Sequence, residues 1–273
     1  MSKALPKLLC GGGSAGEWWM MDAEGYAKEL GANKCNSCLI EAFAPGYKPG
    51  VTVEQVYGHF SRWVKAMRGQ GVWTVVHLVN GGDDTFKVYG VGGINGFVDK
   101  VVKELGTDMI LLCPVAEHKD QSGHEKVSAH CVEVWRRQAG GHLMFNGAGR
   151  PQDVPSADYE VLDYHLQDPN DMGPVPKAGR MTLLDTDNGP IIRWMAYGAQ
   201  PGYWNPARVK ELYSRAYAAG RWMNAYQANS TVVDKAALKE MGKAYGEKAD
   251  PSTDWWDKIE KWWKEIWRKI KPK

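Results

Sequence analysis

Glu117 has the setting that most favours chemistry. It follows the unbroken apolar run Met109-Ile110-Leu111-Leu112-Cys113-Pro114-Val115-Ala116 and precedes His118. An apolar run of this length, after a glycine and before a helical pattern, marks a strand covered on both faces. A carboxylate where such a strand stops is at the rim of a sheet, where parallel α/β proteins build their sites. Other strand-like runs end in Glu17, Glu41, Asn80, Asp83, Asn146, His165, Gln167, Asp185, Asp187, Asn224 and Gln227. The set contains no Ser-His-Asp order and no nucleophilic Cys. Carboxylates, amides and imidazoles beside Trp18 and Trp19 suit a sugar instead, with polar groups for its hydroxyls, flat apolar faces for its rings, and two carboxyls to flank the scissile bond.

Other chemistries find less support. Gly11-Gly12-Gly13-Ser14-Ala15-Gly16 fits neither GxGxxG nor GxxxxGK[ST], so it reads as a flexible loop presenting Glu17, Trp18 and Trp19 above a sheet. Cys35-Asn-Ser-Cys38 has zinc-like spacing, but no second CxxC or HxxxH follows, and the five cysteines read as buried thiols. No HxH or HExxH motif is present, so hydrolysis by a metal on rim His and Asp ligands ranks last. The reading assigns no cofactor and no metal ligand.

The elements that must position these residues alternate. Strands are expected around Leu8, Leu39, Val75, Leu111, Met144, Val161, Leu183 and Met223. Between most of them the pattern predicts helices, at Asp22 to Leu30, Thr52 to Gly69, Asn95 to Leu105, Gly123 to Gln138 and Pro206 to Ala219, with a short one around Ala157 and a last one from Lys235 to Tyr245. Asn205 is the expected N-cap of the Pro206 helix and Gly220 its stop. Eight such alternations over roughly 250 residues predict a (β/α)8 TIM barrel. A doubly wound open sheet would carry a nucleotide fingerprint near its first strand. The expected organisation is a barrel domain over 1–246, a polar linker over 247–253 and an amphipathic helix over 254–273.

Composition bounds the partners. The net charge of +2 shows no uniform field for nucleic acid. Thirteen Trp and twelve Tyr against five Phe exceed what a core needs, which places some at a wet surface or in a groove. No apolar stretch is long enough for a signal peptide or a membrane span, so the expectation is synthesis in the cytoplasm and action at the cell envelope.

With Glu117 closing the fourth strand, the arrangement resembles the clan of retaining glycoside hydrolases that includes the cellulase-like barrels. The resemblance covers most of residues 7 to 246 as a pattern of strand ends. It implies an acid/base Glu closing strand four, here Glu117, and a nucleophile Glu closing strand seven, where this chain has Asp185 and Asp187, Asp185 being favoured as the one nearer the strand. His77 to Asn80 and Asp163-Tyr164-His165 look like the clan's polar positions on strands three and six. Two departures are visible: Ala116 stands where the clan usually carries Asn, and strand seven ends in Asp rather than Glu. Glu41 could replace either carboxylate. Glu17, Trp18, Trp19, Glu41, Asn80, His165, Gln167 and Asn224 are the expected substrate contacts.

The tail carries a second signal. From Asp254, Trp255, Trp256, Ile259, Trp262, Trp263, Ile266, Trp267 and Ile270 form one apolar stripe opposite Lys, Arg, Asp and Glu. Trp prefers the water–lipid boundary and basic residues suit anionic lipid, so the stripe reads as an interfacial helix. Docking on the barrel or oligomerisation also satisfies it. Barrel and tail together resemble a phage endolysin, a cell-wall hydrolase brought to its substrate by a terminal helix. The competing reading is a non-catalytic carbohydrate-binding or membrane-attached barrel of a virion or surface.

Overall fold

The computed structural model describes residues 3–6, 9–13, 18–44, 50–80, 85–116, 122–146, 156–174, 180–186, 189–196, 204–225 and 235–246, and structural statements below refer to these. Eight parallel strands close into a barrel in chain order: β1 (Cys10–Gly13), β2 (Ser37–Glu41), β3 (Trp73–Asn80), β4 (Ile110–Ala116), β5 (His142–Asn146), β6 (Val161–His165), β7 (Met181–Asp185) and β8 (Trp222–Ala225). β8 pairs back onto β1 through Gly11↔Asn224, so no strand edge is exposed. The barrel is surrounded by α1 (Ala23–Ala32), α2 (Val53–Gly69), α3 (Thr85–Lys100), α4 (Ser122–His130), α5 (Gly189–Met195), α6 (Pro206–Ala218) and α7 (Lys235–Gly246). No helix among the described residues is long and apolar enough to cross a membrane.

The helices begin and end where local chemistry dictates. Thr52 and Gln55 cap α2 reciprocally, the Gln55 amide donating to Thr52 Oγ1 and the Thr52 amide to Gln55 Oε1. Asn205 caps α6 as expected, its side chain accepting from the amides of Ala207 and Arg208, with Pro206 at the first helical position. Gly220 follows with φ of 65°.

Three expectations are corrected. The expected glycine loop starts as a strand, because Gly11 and Gly12 pair with both β2 and β8 and Gly13 with β2; Leu8, the expected centre, lies outside the described residues. The helix expected from Asn95 begins at Thr85 and is broken at Gly90, whose φ of 63° interrupts the helical backbone. Burial of Ile94, Phe97 and Val98, with Phe97 against Tyr57 and Phe60 of α2, outweighs the poor helix propensity of its glycines. Ala157 is in a turn in which the Asp158 amide donates to Ser156 Oγ, and the helix that sequence patterning did not anticipate is α5.

Two apolar shells follow from strand alternation. Side chains such as Ile40, Val76 and Leu112 face the helices, whereas Leu39, Val75, Leu111, Met144, Val161 and Leu183 fill the barrel. Trp73, Met109 and Trp222 close its N-terminal end. Nearby, His142 Nδ1 meets Glu160 Oε2 at 2.7 Å and its Nε2 meets the Lys3 carbonyl at 2.9 Å. Burial alone would push this imidazole down, but the Glu160 carboxylate and the Lys3 carbonyl raise it above the ordinary histidine range. The sign follows: stability from this contact is complete below the unfolded value near 6.5 and is lost as pH rises through the higher folded value. Thermal melts from pH 6 to 9 should therefore fall more steeply for the wild type than for His142→Gln; parallel curves would contradict this.

Candidate functional site

Toward the C-terminal ends of the strands the inward positions change from apolar to polar. On β2, β3, β5, β6, β7 and β8 they are Glu41, His77, Asn146, Asp163 with His165, Asp185, and Asn224. Register sets them side by side, through Glu41↔His77, Asn146↔Asp163, His165↔Asp185 and Asp185↔Asn224. All are buried, with Asp163 2% and Asp185 and Asn224 0% exposed. They form a floor beneath the barrel mouth.

Asp163 is the hub. Its Oδ2 accepts from Asn146 Nδ2 at 2.8 Å and from His77 Nε2 at 3.0 Å, although β3 and β6 are not neighbours, so the histidine bond crosses the barrel interior. Asn146 Nδ2 also donates to His165 Nε2 at 2.8 Å, which places the proton of neutral His165 on Nδ1. Ser37 Oγ donates to Asn224 Oδ1 at 2.8 Å across β1, where Gly11 has no side chain to block it. His77, Asp163 and Asp185 each bring a donor atom within 4.8 Å of the others, a set able to hold a metal ion. Cys113 is no nucleophile: burial, and then the charge of Asp163, push its thiol well above the ordinary range.

The candidates from sequence separate into three groups. Glu41, His165, Asp185 and Asn224 come together in the floor. Asn80 ends β3, and Gln167 is exposed beyond β6. Trp18 is packed, not open: it is 1% exposed, its indole N–H donates to the Glu41 carbonyl at 2.6 Å, and its ring lies edge-on to Trp63. A buried indole needs such a partner, so Trp18 joins the turn before α1 to β2 and offers no open sugar platform. Trp19 lines a cavity of about 620 Å³ with His59 and Arg62 on the barrel flank. Glu17, Glu117, Asp187 and the tail tryptophans Trp255, Trp256, Trp262, Trp263 and Trp267 lie outside the described residues.

Ser37 was not among the sequence-derived candidates, and Asp163 and His77 entered only as polar positions implied by the resemblance, without a catalytic or substrate-binding assignment. The available signal was parity: Asp163 is two residues before His165 on one strand and therefore faces the same side.

No protein-family signature matches the chain. A curated relative, 2-isopropylmalate synthase from Mesorhizobium japonicum, is 30% identical over 141 residues, 52% of this chain; the chain spans 24% of that protein. Among solved structures, a glycoside hydrolase family 5 protein from Bacteroides vulgatus superposes with a TM-score of 0.55 at 11% identity, covering 80% of this chain and 58% of that one. A broad-specificity endoglucanase from an uncultured bacterium gives 0.58 at 11% identity, covering 88% and 94%. An endo-1,4-beta-mannanase from Rhizomucor miehei gives 0.53 at 8% identity, covering 89% and 96%. At these identities the shared property is the fold, a closed parallel (β/α)8 barrel.

Proposed function

We propose that the chain is a glycoside hydrolase that cleaves a polysaccharide at the C-terminal mouth of its barrel. The observation that carries this reading is the polar floor at the C-terminal ends of the strands, with buried β4 ending at Ala116, one residue before Glu117 in the sequence. The barrel likeness to glycoside hydrolases, endoglucanase and mannanase among them, supports the same class. In this reading Glu117 protonates the leaving oxygen and a strand-seven carboxylate acts on the anomeric side. Asp185 is fully buried in the floor. The second carboxylate of the proposal is therefore Asp187, two residues farther along the sequence.

Bacterial peptidoglycan is the favoured polymer, since the Trp- and Lys-rich stripe over 254–273 suits an anionic envelope surface. The test is reducing-end release from purified peptidoglycan, β-1,4-glucan and β-mannan by the full chain. Turnover of peptidoglycan supports the whole proposal, turnover of a glucan or mannan alone keeps the glycosidase and discards the cell-wall role, and binding without turnover selects the non-catalytic barrel. A chain ending at Lys248 should hydrolyse soluble fragments at the wild-type rate but lose lysis of intact cells and binding to anionic vesicles. Unchanged vesicle binding would remove the tail from the proposal.

A further inference from the structure

The eight strands contain no Lys or Arg, yet their inward positions hold the carboxylates of Glu41, Asp163 and Asp185. Buried carboxylates require compensation, and among the described strand residues His77 and His165 face the same interior. The hydrogen bonding of Asp163 is one-sided. Oδ2 takes the bonds from His77 and Asn146, whereas Oδ1, equally buried, has no partner among the described residues. A second orphan is next to the same cluster: Asn224, inward and register-paired with Asp185, has its Oδ1 bonded to Ser37 and its Nδ2 without a partner among the described residues. Leaving such groups bare costs about 1–3 kcal/mol each, and more where the group is charged.

We propose that His77, Asp163 and Asp185 bind one divalent first-row transition cation in the floor of the barrel. The two carboxylates offset the charge of the ion, and neutral His77 ligates through Nε2, the ring proton that Asp163 accepts in the ion-free barrel being carried on Nδ1 when the ion is bound. The 3.0 Å between His77 Nε2 and Asp163 Oδ2 suits two adjacent ligands of an octahedral ion, which at bond lengths of about 2.1 Å are about 3 Å apart. Asp163 Oδ1 supplies the lone pairs that nothing else uses, and the Asn224 amide is placed to donate to a water or oxygen ligand completing the shell. One imidazole with two carboxylates suits manganese to zinc better than magnesium or calcium, which favour oxygen alone. The inference stands apart from the proposed hydrolysis, because it concerns the floor and not the rim.

The experiment is metal titration of untagged, chelator-dialysed full-length protein with Mn²⁺, Zn²⁺, Mg²⁺ and Ca²⁺, read by calorimetry, thermal melting and Mn²⁺ electron paramagnetic resonance. The expected result is one equivalent of Mn²⁺ or Zn²⁺, a rise in Tm of about 5 °C at 100-fold excess over Kd, and nitrogen modulation of the Mn²⁺ signal from His77. Asp185→Asn and His77→Gln should each weaken binding by about 100-fold or more. The nitrogen modulation is read on the wild type, so it stands even if a variant fails to fold. No binding by any ion, a Mn²⁺ spectrum without nitrogen coupling, or unchanged affinity in folded Asp185→Asn overturns the proposal.

Discussion

Glu117→Gln is expected to reduce polysaccharide cleavage by about 10²- to 10⁴-fold while leaving the fold intact, the range for removing a general acid. Gln keeps the size and the hydrogen-bonding oxygen of Glu but has no proton to give at neutral pH. The loss should depend on the leaving group. A natural polysaccharide, whose departing alkoxide needs protonation, should suffer the full effect, whereas an aryl glycoside with an acidic phenol should lose much less. Far-ultraviolet circular dichroism and Tm should match the wild type, since Gln is nearly isosteric with Glu and the position lies beyond the last residue of β4. Full activity on polysaccharide in a folded Glu117→Gln protein would sink the glycosidase proposal. An equal loss on both substrate types would show that Glu117 acts in some way other than as the acid.

The largest stability effect should come from the smallest substitution. Gly11→Ala would put a methyl group 1.8 Å from the Ser37 carbonyl oxygen and 2.8 Å from its hydroxyl. The carbonyl is backbone of the neighbouring strand and cannot rotate away, so β1 and β2 must separate. The same methyl group obstructs the space through which Ser37 reaches Asn224, leaving a second buried group without its bond. Overpacking and the lost bond together cost about 3–5 kcal/mol. Gly58→Ala is the matched control, because nothing lies within 4 Å of its added Cβ on α2. There the change should be neutral or stabilising, by up to about 1 kcal/mol. Urea denaturation of the three proteins decides the point, and a Gly11→Ala midpoint equal to the wild type would refute the close-packing account.

These two glycines show why the barrel was legible from sequence and part of its site was not. Seven strand centres, from Leu39 to Met223, fall within observed strands, because each run is apolar enough on both faces to be read locally. The described part of β1 is hard to read in sequence because three of its four residues are glycines, which admit neighbouring backbone and side chains and show no hydrophobic pattern. Asp185, Glu41, His165 and Asn224 stand out in sequence because each ends or nearly ends a strand. His77 and Asp163 are mid-strand and 86 residues apart, and meet only when the barrel closes. Parity gives the facing side of each, but not which strand is opposite. Trp18 shows the reverse error: its amphipathic character is real, but the partner for its indole N–H is the Glu41 carbonyl rather than a sugar.

The seam between β1 and β8 also bears on how the chain folds. Cys10↔Met223 and Gly12↔Ala225 join strands separated by more than 200 residues, and Tyr213 fastens the same seam by donating its hydroxyl to the Gly11 carbonyl. Contacts this distant in sequence repay their loop-closure entropy late, so closure of the ring should follow formation of the arc from β1 to β7. During synthesis that arc would wait with two open edges until Ala225 has left the ribosome, and the interval before β8 arrives is when the nascent barrel is most exposed to pairing with another chain.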